Sequence, residues 1–523
     1  MPVRMEQDED TTPQDNYDDN GGGGGGRGGF PGGGMIWMFL PMLLRNPKLL
    51  VIVAILGGIY YFGKGCAGVP SSQNSKNGYG VGATLSPKEF DKAEVFAALS
   101  DKDKLPESVS LLKYAPDRKN QGSQGSCVGW GSAYAARTIL QATATDDDPN
   151  QIAFSPSFLY NQIKLNNDCE GSYIQRAAEY MQQNGALPFE QFGYNDRECS
   201  KRPEPSQLQD ANQFKINGYN RLTLGGDDQT IDMKAMKQNL AKGAPVIIGM
   251  AVGGTFMQEM MGKKIWHPTE DDYSKQGFGG HCMCVIGYDD FMEGGRGGFQ
   301  LMNSWGPEWG DNGIAWISYK DFKYFCVEAY GLDPLVAKSN PNSNRLKVSI
   351  GLISKDMKSY FALQRNNTSQ NKGVETFRTS QTLAKKTKFK IEVSNSIACY
   401  TYVLGKDTDQ SSYVLFPYTE KHSAYCGITG TRIFPRDYSM VLDEIGRQDY
   451  ITIIISKQPL DIKAINDVIN TTQKDDYQQR IEAALSTKLI SDIKFTGVNG
   501  KIAFETDAKD KSAVAVVIEI DKQ

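Results

Sequence analysis

Histidine is scarce in this chain, with His267, His281 and His422 its only three among 523 residues. A metal centre built from several imidazoles is therefore not expected, and neither metal nor cofactor is predicted. Nine cysteines are too few for a disulfide-built scaffold, and the odd count leaves at least one thiol unpaired if the rest form intramolecular bridges. Neither sign of charge is in surplus, at 57 Lys+Arg against 61 Asp+Glu. That balance excludes a strongly basic nucleic-acid binder as the default, and no nucleic-acid partner is expected. A composition 40% hydrophobic and 23% charged excludes a polytopic membrane protein. Long apolar runs are also missing, since Leu49–Phe62 falls short of a ~30 Å hydrocarbon core at ~1.5 Å per residue.

What is present divides the chain. Residues 1–34 are acidic and then glycine-rich, with too little apolar surface to offset chain entropy, and are read as a disordered tail. Residues 35–63 hold two apolar runs separated by Arg45-Asn46-Pro47-Lys48, with Lys48 and Lys64 placed to snorkel and Tyr60 and Tyr61 suited to an interface. A signal peptide rarely follows so long a polar tail, and no core helix belongs between a tail and a linker. The stretch is read as a single membrane anchor. Arg27, Arg45 and Lys48 precede the run Leu49–Phe62 while Lys64 and Lys76 follow it, a bias toward a cytoplasmic N-terminus and an exported remainder. Residues 64–104 read as a linker, in which Ser86-Pro87-Lys88-Glu89 has the form of a capping box opening one short helix toward Leu99. Cys66 in this linker is a minor candidate for acylation.

Two folded regions follow. Residues 105–334 mix helical patterns with short β-rich runs. Residues 340–523 are mainly alternating strands, as where Phe389, Ile391 and Val393 alternate with Lys390 and Glu392 in the manner of a half-buried strand. The expected class is α+β followed by a mainly-β domain.

The chemistry is concentrated in three short segments. Gln121-Gly122-Ser123-Gln124-Gly125-Ser126-Cys127 leads into a small-residue stretch, which suggests a thiol at a helix N-terminus, where unpaired N–H groups favour a thiolate. Gly279-Gly280-His281 opens an apolar run that holds an imidazole rigidly enough for a general base, although a core histidine is the commoner outcome. Asn303-Ser304-Trp305-Gly306 follows a strand, so that Asn303 can accept the imidazole N–H and Trp305 can shield that bond.

Together these segments closely resemble the papain-like cysteine peptidases, across about Leu105–Pro334. The resemblance implies a two-lobed fold, with a helical lobe and a β-barrel-like lobe, and peptide or protein substrates. It makes Cys127 the nucleophile, held as thiolate by His281 as imidazolium, with Asn303 orienting His281 and Trp305 supporting them. Gln121, six residues before the nucleophile, becomes the oxyanion-hole donor. Gly171 and Ser172 take the place of the backbone that pairs with extended substrate. Tyr173, Ile174 and Gly280 line the subsite for the residue second from the cut. Cys169 and Cys199 match family cysteines whose usual partners are missing, so they become a candidate disulfide with each other if the domain is exported.

Departures from the pattern, such as Val128 for the Trp after the nucleophile, remove no catalytic group. Two rival readings stand against this one: a non-catalytic binding protein on the same fold, and transglutaminase-type acyl transfer. The intact Cys, His, Asn and Gln argue against the first, and the Asn-Ser-Trp-Gly segment with Gln121 against the second. Cys282 and Cys284 are expected to be buried thiols and His267 a surface residue. The C-terminal region resembles a β-rich accessory domain of some bacterial peptidases, read as a ligand- or partner-binding sandwich or a spacer. Residues 64–104 are too short for a separate pro-domain that also threads the cleft. The chain is therefore expected to be active without maturation, with the Ser86–Leu99 helix packed on the peptidase as a spacer.

Overall fold

The computed structural model describes residues 3–8, 79–224, 229–335, 345–365, 373–491, 493–498, 500–507 and 511–523. The expected anchor at 35–63 and Cys66 lie outside them, and no helix among the described residues is long and apolar enough to cross a membrane.

Residues 105–335 build a helical lobe and a sheet lobe over one core. The helices Thr138–Thr145, Pro156–Ile163 and Ile174–Gln183 make the first lobe. Pro156 follows the N-cap Ser155, whose hydroxyl accepts from Phe158 N, so this helix starts where its sequence dictates. The second lobe is an eight-stranded sheet. Its centre is Gly279–Asp289, flanked by Val246–Val252 and Gly298–Met302, and buried along nearly all its length. A strand covered on both faces has no alternation to show, which explains the continuous run from Cys282 to Ile286.

The C-terminal region is a sandwich of two seven-stranded sheets, one strand of the first being supplied by residues 3–7. Leu346–Ser354 and Lys388–Asn395 lie at the heart of one, Gln448–Ser456 and Ala513–Asp521 at the heart of the other. Ile350, Leu352, Phe389 and Ile391 face Ile451, Ile453, Val516 and Ile518 in a shared core, each such side chain contributing about 1.5–3 kcal/mol of burial. The outer face of the second sheet is closed by the helices Ile462–Thr471 and Tyr477–Leu485.

Three expectations need correction. The first residues are not all tail: Val3–Gln7 is a strand paired antiparallel with Tyr438–Leu442. Val3 is buried, Glu6 pairs with Lys388 at 2.9 Å, and Asp8 meets Lys390 at 2.6 Å and Ser439 Oγ at 2.6 Å. An acidic segment gains order when a distant edge supplies hydrogen-bonding partners and cations. Second, the helix at Ser86 spans only Pro87–Phe90, its N-cap hydroxyl accepting from Glu89 N. Beyond it the chain is claimed by neighbours on both sides, with Val95 bridged to Arg221 and to His422. Third, Lys390 and Glu392 do not face water. Carbonyls of Pro435, Arg436 and Tyr438 and the Asp8 carboxylate receive Lys390, while Lys102, Lys501 and Tyr360 enclose Glu392.

Candidate active site

Cys127 begins the helix Cys127–Gly129, which continues through a π-helical stretch, Trp130–Arg137, into Thr138–Thr145. Ser126 sits at the N-cap and shares a 2.7 Å hydrogen bond with Tyr194 OH. Small residues let the sheet approach: a Cβ on Gly131 would come within 2.7 Å of Cys282 Sγ. The helix is thereby seated against the residue next to His281, and the Cys127 thiol meets the Cys282 backbone N–H.

Asn303 follows the strand Gly298–Met302, whose register sets Met302 opposite Cys284. That places Asn303 Oδ1 at 2.7 Å from His281 Nε2, while the same oxygen accepts Ser304 N–H at 2.8 Å. A carbonyl oxygen only accepts, so the ring nitrogen facing it is assigned as N–H. The other, Nδ1, then carries the lone pair and has no hydrogen-bond partner among the described residues. Trp305 stacks on the imidazole, with centroids 4.4 Å apart. Gln121 is fixed at both ends of its amide, Oε1 accepting from Ser304 Oγ at 2.6 Å and Nε2 donating to Gln124 O at 2.8 Å.

The cleft between the lobes is filled. Tyr79–Leu85 runs through it as an extended segment bridged at Ala83, contrary to the expectation that residues 64–104 leave it open. Trp305 Nε1 donates to Gly80 O at 3.0 Å, and Tyr79 stacks on Trp305. Ser172 N donates to Gly82 O at 2.9 Å, and Thr84 N to Ser172 O at 3.0 Å, a parallel bridge. Ala83 N reaches Gly280 O at 3.0 Å. The Gly82 N–H lies near enough to the Cys127 sulfur to favour its charged form. Glycines make this approach feasible: Gly82 lies against the Gly125 backbone, Gly280 against Ala83 O, and Gly171, at φ +141°, against Gly82 O. Leu85 fills a pocket beside Ile174, Gly249 and Gly280. Of the residues assigned to that subsite, Tyr173 is the N-cap of the helix Ile174–Gln183.

Burial under this strand changes the charge state. Cys127 and His281 are both 0% exposed. Desolvation pushes the Cys127 thiol up to about 11, against the lesser pull of the Cys282 and Gly82 N–H groups. Desolvation likewise brings His281 down to about 4, outweighing its bond to Asn303. The expected thiolate–imidazolium pair is thus not the state of the filled cleft; here both groups are neutral.

Cys169 and Cys199 are joined by a disulfide, and Cys169 O accepts Gly125 N–H at 3.0 Å, tying the bridge to the loop before the nucleophile. Cys282 and Cys284 are buried free thiols, and His267 is exposed beside Glu293. Sequence reasoning missed Ser304 as the anchor of Gln121. It also missed Glu328, a buried carboxyl near the Leu85 pocket that accepts Ser86 N–H at 2.7 Å and Tyr330 OH at 3.1 Å. Burial raises Glu328 to about 7. The cleft strand had one available signal, glycine at every second position in Gly78-Tyr79-Gly80-Val81-Gly82.

A profile of the papain family of cysteine proteases matches residues 105–330. Cathepsin K of Mus musculus is 26% identical over 220 residues, 41% of this chain and 60% of that protein. Cathepsin L2 of Homo sapiens is 29% identical over 250 residues, 46% of this chain and 68% of that protein. The chain thus spans less than two thirds of cathepsin K. Among solved structures, xylellain, a cysteine protease from Xylella fastidiosa, aligns with 50% of this chain and 98% of its own at 22% identity and a TM-score of 0.41. Residues 105–330 carry a papain-family cysteine peptidase domain.

Proposed function

From that domain we propose a cysteine peptidase that cleaves peptide bonds through Cys127, His281 and Asn303, held latent in this structure by its own Tyr79–Leu85 strand. The observation that carries the reading is His281, oriented through Nε2 by Asn303 and presenting an Nδ1 without a partner among the described residues. Once the strand leaves, water relieves the desolvation that keeps both groups neutral. The thiol proton then passes to Nδ1, and the helix N-terminus stabilises the thiolate. Sulfur attacks the carbonyl carbon of a substrate whose backbone pairs with Ser172. The Cys127 N–H and Gln121 Nε2 take up the oxyanion. His281 returns the proton to the departing amine, leaving a thioester, and then activates the water that hydrolyses it. The resident strand is not cut because it runs parallel to Ser172 and offers the sulfur an N–H.

The Cys169–Cys199 bridge supports an oxidising, exported setting, and residues 35–63 remain the proposed membrane attachment. A single crossing by 35–63 is incompatible with Val3–Gln7 pairing to Tyr438–Leu442, because both strands must share one side. Attachment to one face is therefore the form proposed. The test of function is a fluorogenic peptide library together with a peptidyl epoxide, applied to the protein after mild opening of the cleft. Cys127-dependent turnover is expected. Equal turnover by Cys127→Ala removes the peptidase reading.

A further inference from the structure

The cleft strand is short, and its continuation is held from outside the peptidase domain. Val95 N donates to Lys421 O at 2.6 Å and Val95 O accepts from Ser423 N at 3.1 Å. Ser100 N donates to Thr431 O at 2.7 Å, and Asp103 Oδ2 accepts Thr431 N at 2.7 Å. Arg432 Nε reaches Ala97 O at 2.8 Å, Lys102 pairs with Glu392 at 2.7 Å, and Lys421 with Asp91 at 2.9 Å. Every one of these partners belongs to the C-terminal sandwich. The opposite edge of the same segment bonds to the peptidase domain, through Phe96 N to Arg221 O and Leu99 N to Gln238. Residues 91–103 are thus an irregular segment, bridged at Val95, clasped between the two domains. The start of the chain, Val3–Asp8, is docked on the sandwich as well.

Resting on the latent-peptidase reading above, we propose that the C-terminal sandwich is the holder of the inhibitory strand, its partner being this chain's own N-terminal region, and that loosening residues 91–103 from it opens the cleft. The physics is that of a tether. Pinned at Asp91, which also meets Arg221 of the peptidase domain at 2.7 Å, the segment ending at Leu85 is confined near the cleft; once loss of the sandwich edge lets residues 91–103 leave their remaining peptidase bonds as well, it is held back to Leu105 by a longer chain. Effective concentration falls roughly as the −3/2 power of tether length, which for these two lengths is about 6-fold. A cut upstream of Tyr79 does not release the strand, because its hold lies downstream.

The test uses the full chain, with the rate of Cys127 labelling by a peptidyl epoxide as readout and cooperative thermal unfolding as the check on folding. Lys102→Met with Asp103→Ala loosens the clasp from the linker side, leaving Lys501 and Tyr360 on Glu392 and the catalytic groups unchanged. Ser100→Pro, which removes the N–H given to Thr431 O, is the second variant. Gly82→Val, whose side chain would clash with the Gly125 backbone, expels the strand directly and tests latency alone. Labelling about 5–10-fold faster in both clasp variants supports the proposal. Rapid labelling of Gly82→Val with wild-type rates in the clasp variants overturns it while leaving latency standing. If wild type already labels as fast as Gly82→Val, latency itself is wrong and the proposal falls with it.

Discussion

The peptidase domain and the C-terminal sandwich both bury polar side chains, but they spend them differently. In the cleft, His281 Nδ1 and Asn303 Nδ2 are enclosed without hydrogen-bond partners among the described residues, and the Cys127 thiol is buried. In the sandwich, Lys522 is enclosed by Asp443 and Asp449, Lys390 by a carboxylate and three carbonyls, and Arg432 by Asn395, Ile428 O and Ala97 O. Hydrogen-bonding capacity left unused costs stability and persists where a reacting group will use it. The buried cations of the sandwich, met by carboxylates and carbonyls, are architecture, although Asp449 Oδ2 and Thr452 Oγ1 there are also buried without a partner among the described residues. The contrast separates residues whose loss ends activity from residues whose loss ends folding.

The largest effect expected on the cleft side is from Cys127→Ala or His281→Ala. Turnover of a fluorogenic peptide by opened enzyme should fall ~10⁴-fold or more, with the melting temperature nearly unchanged. A large loss of stability in either variant would place these groups with the architecture. The counterpart in the sandwich is Lys522→Met, which strands two carboxylates, Asp449 among them fully buried. Unfolding by denaturant should show a loss of about 3–5 kcal/mol. A neutral result would mean that water reaches that site.

The same contrast governs how much could be read in advance. Cys127, His281, Asn303 and Gln121 were legible because each sits in a short segment whose neighbours enforce its geometry: small residues after Cys127, a strand start at Gly279, a strand end at Met302. Alternation likewise exposed Phe389, Ile391 and Val393 as a core face. The intervening Lys390 and Glu392 were read as solvated because their covers arrive from Asp8 and Lys102, hundreds of positions away in the chain. Val3–Gln7 and Tyr79–Leu85 were missed for one reason. A strand completed by someone else's edge carries no apolar pattern of its own, and glycine, which permits the close approach, also reads as linker.

Two intermediate effects sharpen the boundary between chemistry and support. Removing the Cys169–Cys199 bridge, which spans a sequence separation of 30, should cost about 3–4 kcal/mol in the chain-entropy account. The double Ser variant should therefore unfold earlier yet keep its kcat once opened. A collapse of kcat at full stability would show that the bridge shapes the Gly125 loop during catalysis. Gln121→Ala removes one oxyanion donor and should lower kcat by about 10²–10³-fold with KM little changed. A change in KM alone would assign Gln121 to substrate binding.

The smallest effect is on pH, and its sign follows from counting protons. In the filled cleft Cys127 is a thiol and His281 a neutral imidazole, its value lowered to about 4. If opening only moves the thiol proton to His281, the pair binds one proton in both states and contributes no slope near neutrality. Glu328 then decides. Its value is raised by burial from 4.5 to about 7 in the closed form, so the closed form binds the extra proton between those values. The stability this gives the closed form is fully present below about 4.5 and is lost as pH rises through 7. Opening should therefore grow with pH across that window, by at most tenfold per unit. The measurement is hydrogen exchange at the Ala83 and Thr84 amides, bonded to Gly280 O and Ser172 O, corrected for the intrinsic rate. Glu328→Gln should flatten the profile. Cys127→Ala should oppose it, because His281 must then draw its proton from solvent on opening, and that uptake favours the open form as pH falls from 6.5 toward 4. A Cys127→Ala profile identical to wild type would show that the cysteine does not supply the proton.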